Sequence, residues 1–591
     1  MRKTDAFRRA AALLAALSIT VSLAAPAFAG TYYIDDGDIT ITKDENGQTV
    51  QQGNNAAENI GADEEIIITT HKKAITTLES DLEGPAAEDS GFGPVVEDNY
   101  QPAQPEDAEE PEDADQSEDD AQQKSTEESK DADQPENTDR QESAQQVAPA
   151  AAPAAPTSVN PKDNGFWGNT ITVINKAATA LKLTLKDVKI DVSDTGKNTG
   201  NPWNSDEGKA ALSVQGNGNV EIELDGKNEL KSGAHRAGLE KNTSTSTGTL
   251  TLKDDNNEAG SLTATGGDWG AGIGNGGYYG NGGNRSGENI TITGGSVTAT
   301  GGDYAAGIGG GYYGSGKNIT IKGGTVTATG GDEGAGIGGG YYGNGENIKI
   351  TDGTVNATGG WGGAGIGGGG SYDGCSGKNI TITGGTVTAG GGYRGAGIGG
   401  GIRGSGEDIT ITGGTVNADG GDNGAGIGGG ATGSGSNVTV SGAAQVTATA
   451  SKSNGYGASA TIGSGSGMTW NPDGSYTYTF NNGQEIQADI SDLTTGYIHH
   501  IIYDPDLKSE DNPDGIVREW WEYGHLQPAP EGPNAPAEES NGVSLGTPVL
   551  HVETLEGDPL PFDARQQGST LRVTSDNLAA RLHGTRQALE A

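Results

Sequence analysis

The chain has 591 residues and a single cysteine, Cys375, so no internal disulfide can staple it and the small disulfide-framework folds are excluded. It is also short of positive charge: 36 Lys and Arg stand against 80 Asp and Glu, a formal net charge of -44. Such a surface repels a phosphate backbone, which excludes nucleic acid as a partner. Long apolar runs are missing as well. After residue 25 nothing approaches the roughly 20 apolar residues of a membrane-spanning helix, so no transmembrane segment is expected once the leader is removed. Aromatic residues make up only 5% of the chain, so a place where they recur carries information.

Residues 1–29 read as a signal peptide. Arg2, Lys3, Arg8 and Arg9 precede an apolar run from Ala10 to Ala25, and Ala27-Phe28-Ala29 offers the small-x-small pattern that a signal peptidase cuts. The mature chain is therefore expected to be secreted, extracellular or associated with the cell surface. Residues 30–83 contain GDITITKDENGQTV and EEIIITT, which read as an isolated β rung or N-terminal cap. Residues 84–161 differ: between Glu106 and Glu142 there are 17 Asp or Glu against Lys124, Lys130 and Arg140. A tract of that kind cannot bury enough apolar surface to offset its ordering entropy, and it reads as a disordered acidic spacer. Residues 467–526 read as a β-rich extension with a hairpin around Pro472-Asp473-Gly474, residues 527–545 as a linker, and residues 546–591 as a short β/α tail whose helix opens at Ser575 or Asp576.

What the chain has in excess is glycine, 104 residues, and most of it lies in a repeat. The unit is NITIT, then GG, then TVTAT, then GGD-x-GAGIGGG. Its first isoleucine recurs at Ile290, Ile319, Ile348, Ile380 and Ile409 and as Val438, with spacings of 29, 29, 32, 29 and 29. The valine of the second block (Val297, Val326, Val355, Val387, Val416) always follows by 7 residues, and the isoleucine of the third (Ile308, Ile337, Ile366, Ile398, Ile427) by 11 more. Two corners are thus fixed in length, and the connection after the third block varies. Each unit offers only about five inward-capable residues, such as Ile319, Ile321, Val326, Ala328 and Ile337. That fills one rung of a narrow coil but cannot cover a sandwich. The fold expected for residues 162–466 is all-β: a right-handed parallel β-helix, a three-sided solenoid of about 29-residue coils. The competing arrangement is an antiparallel run of hairpins through the glycine pairs.

Two columns of side chains recur at corners. Asp268, Asp303, Asp332 and Asp422 follow the same glycine pair, with Trp361 and Tyr393 replacing them in two rungs. Stacked carboxylates repel, and calcium, a hard cation that takes six to eight oxygens, would relieve them; alternatively each Asp caps its own turn. Aromatics recur at the variable connection as Tyr278-Tyr279, Tyr312-Tyr313, Tyr341-Tyr342 and Tyr372, and beside the aspartates as Trp269, Tyr304, Trp361 and Tyr393. Rings on a rigid face can stack on sugar C–H faces and follow a polysaccharide, or each ring can pack on its copy in the neighbouring rung. Asn289, Asn318, Asn347, Asn379, Asp408 and Asn437 form a third column, which reads as a structural amide ladder.

The succession VEIELDGKNELKSG, GTLTLKDD and GSLTATGGDWGAGIG, followed by tandem NITITGGTVTATGGD-x-GAGIGGG, resembles the secreted carbohydrate-binding β-helix proteins of Gram-positive anaerobes, relatives of the pectate-lyase-like superfamily. The resemblance covers about residues 164–465. It implies a non-catalytic, adhesin-like protein whose partner is a plant cell-wall or host glycan, with calcium as a candidate cofactor. Other motifs fail. Gly311–Asn318 has P-loop spacing but ends in Asn318 where magnesium needs Ser or Thr; Asp504–Gly515 begins like a calcium loop without its glycine and glutamate; His499-His500 has no ligand spacing around it. Two rival functions stay open: a polysaccharide lyase or hydrolase on the same fold, for which Arg394 and Arg403 are the only arginines in the regular rungs, and a passive structural spacer.

Overall fold

In the computed structural model the described residues are 30–71, 165–197, 206–256, 258–277, 286–452, 457–470 and 478–525, together with five short strands between 550 and 584. The expected leader (1–29), acidic spacer (84–161) and linker (527–545), as well as Tyr278 and Tyr279, lie outside them. The chain divides into two units, residues 1–527 and 528–591.

The first unit is a parallel β-helix of about 10 turns. Each of the three blocks pairs in parallel with its own copy in the next turn, as in Ile319 with Ile348, Val326 with Val355, and Ile337 with Ile366. This excludes the hairpin arrangement. The five inward residues of the turn, Ile319, Ile321, Val326, Ala328 and Ile337, are fully buried, and so are their copies at 348, 350, 355, 357 and 366. Because the side chains of a strand alternate between its two faces, the intervening Thr residues point outward.

Glycine is required where turns stack backbone on backbone. A Cβ on Gly360 would overlap the carbonyl oxygen of Gly331 in the turn before it. At the corner between the first and second blocks, Gly324 has a φ of 84°, open to glycine at little cost. A bend inside the first block of each turn is made without glycine. Asn318, Asn347 and Asn379 sit at φ of 53–56° within their strands, and each donates its amide to the side-chain oxygen of the preceding Asn at 3.0–3.2 Å. Asn437 donates to Asp408 in the same way. Beside this ladder runs a column of alternating sign, Glu288, Lys317, Glu346, Lys378 and Glu407, with ion pairs Lys317–Glu346 (3.2 Å) and Lys378–Glu407 (3.1 Å). Such exposed pairs are individually worth about 0–1 kcal/mol.

Both ends of the stack are capped by the segments that flank the repeat. At the start, Ile39–Asp44 pairs in parallel with Ile171–Asn175, and Ile66–Thr69 with Leu181–Lys186, so residues 30–71 form the first turn itself. Two antiparallel strands, Gly47–Gln52 and Glu58–Ile60, cover its edge. At the other end Tyr497–Tyr503 continues the second face in parallel, and Ile516–Tyr523 folds back antiparallel over it. The carboxylate of Glu485 accepts from the N–H groups of Thr461 and Ile462 at 2.6 and 3.0 Å, taking the place of the carbonyls that a further turn would supply. The hairpin expected around Pro472 has its two arms, Gly467–Trp470 and Tyr478–Asn481, paired antiparallel.

In the second unit, Leu550–Thr554 pairs with Pro559–Leu560 and with Ala580–Gly584, and Asp563–Gln567 pairs with Thr570–Thr574. The helix expected after Ser575 is corrected here, because Ala580–Gly584 is a strand. In that stretch Ala580 and Leu582 alternate with Arg581 and His583, a period of two that outweighs the helical propensity of Ala, Leu and Arg. Among the described residues no helix is long and apolar enough to cross a membrane.

Candidate functional site

The two recurring corner columns read as separate in sequence, but the fold brings them together. Only two residues of strand, such as Ile308–Gly309, lie between them. Each variable turn hydrogen-bonds the aspartate corner of the preceding rung: Tyr312 N–H donates to the Trp269 carbonyl (2.9 Å), Tyr341 to Tyr304 (2.8 Å), Ile402 to Gly362 (2.8 Å) and Ala431 to Arg394 (2.8 Å). The result is one ridge along the solenoid, built of paired turns. Several of its bulky side chains stand at positive φ, including Trp269, Tyr304, Tyr313, Glu333, Tyr342 and Arg403. This conformation is uncommon for large residues, and backbone bonds from the neighbouring turns hold it in place.

The aromatic residues divide into two sets. Trp269 is 6% exposed, with His235 on one face (centroids 4.3 Å) and Tyr312 on the other (4.9 Å). It is the footing of a stack that continues through Tyr312 and Tyr341, 5.7 Å apart and nearly parallel, against which Tyr304 of the outer set leans edge-on or tilted. With both faces covered Trp269 has none to offer a sugar, so its expected contact role is corrected to a structural one. The outer set faces solvent. Tyr304, Tyr313, Trp361, Tyr372 and Tyr393 are 36–54% exposed, and they are five of the seven exposed large hydrophobic residues among those described. Tyr313 and Tyr342 stack at 4.7 Å, Trp361 and Tyr393 at 5.9 Å.

Asp268, Asp303 and Asp332 occupy successive turns, whereas Trp361 and Tyr393 separate them from Asp422. Partial burial raises the Asp303 carboxyl above the usual range, and its neighbours Asp268 and Asp332 add to this. Burial alone raises Asp422. The column supplies one carboxylate in each turn that carries it and none in the Trp361 and Tyr393 turns, and no group of three or more His, Cys, Asp or Glu side chains is placed to hold a metal ion among the described residues.

Sequence reasoning missed two buried clusters. Glu333 tucks its carboxyl under the next turn, where Gly362 and Gly370 leave room; a Cβ at either position would overlap its Oε2. Burial, reinforced by Asp332 and opposed by Arg394, pushes this carboxyl up to about 7. The only signal in sequence was that both glycines stand where other rungs carry side chains. Near it the Cys375 thiol is pushed up to about 12 by burial, which leaves it unreactive. At the C-terminal cap, His500 takes the last place in a column of alanines (Ala264, Ala299, Ala328, Ala357, Ala389, Ala418, Ala448). Its Nδ1 lies 2.6 Å from Thr461 Oγ1, its ring stacks on Trp520 at 4.4 Å, and burial lowers it to about 3.

Five turns match the family model described as Beta helix repeat, at residues 290–312, 319–341, 348–370, 380–402 and 409–431. Each match runs from the first block to the start of the variable turn, so Tyr313, Tyr342, Tyr372 and Arg403 lie just beyond the matched residues. No curated protein and no solved structure matches the chain.

Proposed function

We propose that the chain is an exported, non-catalytic, adhesin-like protein that binds polysaccharide along this ridge. The observation that carries the reading is the gathering of exposed rings on one edge of the solenoid, where among the described residues only Leu507 and Val517 are other exposed large apolar side chains. Rings fixed by stacking on their neighbours lose little conformational freedom on binding. Their repetition from turn to turn suits a polymer, since weak contacts in a row gain strength through effective concentration. A non-catalytic role is favoured by the buried position of Glu333, the carboxyl on the ridge best tuned for proton transfer.

The test is a glycan array with the mature chain, followed by pull-down on plant cell-wall and mucin-type polysaccharide, each with and without calcium. Calcium is included because Asp268, Asp303 and Asp332 are where a cation would relieve repulsion. Replacing Tyr313, Tyr342 and Tyr372 together with alanine should weaken binding at least tenfold and leave the melting temperature within about 2 °C. Unchanged binding by that variant would assign the outer rings to packing and remove the proposal.

A further inference from the structure

The two ends of the solenoid finish differently. At the start the outermost strands are Gly30–Tyr33 and Glu58–Ile60, four and three residues long. At the other end, two of the three faces carry only isolated bridges beyond the last full turn, Thr439 with Asp489 and Gly463 with Glu485. The face of the second block alone carries on, through Tyr497–Tyr503 and then Ile516–Tyr523. That last strand is a ledge one layer beyond the other faces, and among the described residues no strand pairs with its outer edge.

An open edge is a template for another chain, and proteins commonly blunt it with brevity, proline or lysine. This edge is eight residues long, has neither proline nor lysine, and carries Trp520 and Trp521. The bulge at Val517 sits at its start and leaves Arg518–Tyr523 in unbroken register with Tyr497–Ile502. Arg518, Trp520 and Glu522 share one face of the strand, opposite Ile502, His500 and Ile498. The exposed Arg518 guanidinium lies 4.2 Å from the Trp520 ring centre. Glu522 is half-buried; burial raises its carboxyl above the usual range, a bond from Gln487 at 3.1 Å opposes this, and the charge of Glu485 adds to it. A carboxylate so placed gains from a further cation.

We propose that Ile516–Tyr523 pairs antiparallel with the same strand of a second copy of this chain, joining two solenoids tail to tail. The charges of the strand are self-complementary about Trp520. With Trp520 opposite Trp520 of the copy, Arg518 stands opposite Glu522 of the copy and Glu522 opposite its Arg518, two pairs of opposite sign on one face of a continuous sheet. A slip of one residue in one direction sets Glu519 against Glu522 twice, and a slip in the other loses both Arg–Glu pairs, so the charges also fix the register. Two-fold pairing uses each edge once, and the association closes at two copies, whereas continuation of the coil by head-to-tail stacking would not close. The inference is independent of what the ridge binds.

The experiment is a charge swap read by sedimentation equilibrium of the mature chain over a wide range of concentrations. The wild type should reach a dimer and go no further. Arg518→Glu sets Glu against Glu at both ends of the paired stretch, and Glu522→Arg sets Arg against Arg, so each variant alone should dimerise at least tenfold more weakly. An equimolar mixture of the two restores both pairs of opposite sign and should recover the dimer, as should the double variant Arg518→Glu/Glu522→Arg. Thermal melts of the single variants check that the cap stays folded. The mixture keeps the test decisive, because it contains only those two variants and a misfolded cap could not regain the dimer on mixing. A wild type that stays monomeric at every concentration, a dimer indifferent to both reversals, or a mixture and double variant that fail to recover it overturns the proposal.

Discussion

Replacing Glu333 with glutamine keeps the shape of the side chain beneath Gly362 and Gly370 and removes its ability to ionise. The wild-type carboxyl titrates near 7 in the fold against an ordinary value of 4.5. A folded value raised above the unfolded one means that the fold prefers the neutral acid. Its contribution to stability is fully present below pH 4.5 and is lost as the pH rises through 7. By linkage the loss could reach ~3 kcal/mol, but the group is partly in contact with solvent, which brings the expectation to ~1–2 kcal/mol. Glu333→Gln should therefore match the wild type within ~0.5 kcal/mol at pH 5 and exceed it by ~1–2 kcal/mol at pH 8. Urea denaturation at pH 5, 6, 7 and 8 measures this. Amide exchange across residues 359–375 supplies a local reading, since in a solenoid each turn leans mainly on its neighbours. A variant whose stability follows pH with the same slope as the wild type would refute the buried, raised carboxyl.

His500 works in the opposite sense: its value is lowered to about 3, so its stabilisation is present above pH 6.5 and lost as pH falls toward 3. His500→Ala, which restores the residue found elsewhere in that column, should flatten the acid limb of an unfolding profile even though it lowers stability at neutral pH. Ile348→Ala empties one fully buried place and should cost ~2–5 kcal/mol by denaturation, with exchange protection falling first in the adjoining turns. Gly360→Ala should prevent or severely weaken folding, because its Cβ meets the Gly331 carbonyl. Gly390→Thr should be neutral or stabilising by up to ~1 kcal/mol, because a Cβ there meets nothing within 4 Å and its register partner is Thr358; equal melting losses for the two glycine variants would contradict this.

The solenoid was legible because its information is periodic. A spacing of 29 residues with fixed offsets of 7 and 11 forces Ile319 over Ile348 and leaves one flexible connection. The asparagine ladder was legible for the same reason. The ridge was only half legible. Both aromatic columns were visible, but their union depends on the shortness of the Ile308–Gly309 strand, and no local pattern says which rings will be covered. Trp269 and Trp361 look alike in sequence. One is sealed by His235, whose approach is a matter of the irregular upstream turns, and the other stands at the corner position itself. Glu333 and His500 escaped for a different reason: each occupies space left by a smaller or missing side chain in a neighbouring turn, so the signal lies in what the next repeat lacks. The helix assigned after Ser575 failed because its residues favour helix individually while their alternation and a partner strand at Leu550–Thr554 favour a sheet.

The first turn reaches the second by an unusual route. Residues 72–164 separate the first turn from the second in sequence, yet Ile39–Asp44 lies directly on Ile171–Asn175. Closing a loop of that length costs on the order of 4 kcal/mol in chain entropy, which the pairing of the two turns must exceed. Nothing in the contact itself requires that both turns belong to one molecule. A protease cut between residues 72 and 164 would turn the first rung into a separate peptide, held by strand pairing alone and exchangeable with an added copy. At high protein concentration the same turn could seat on a neighbouring molecule, making identical contacts and a swapped pair. Once the rung is lost, the edges of Ile171–Asn175 and Leu181–Lys186 become open templates for another chain. The N-terminal turn thus acts as a removable stopper against end-to-end growth of the solenoid.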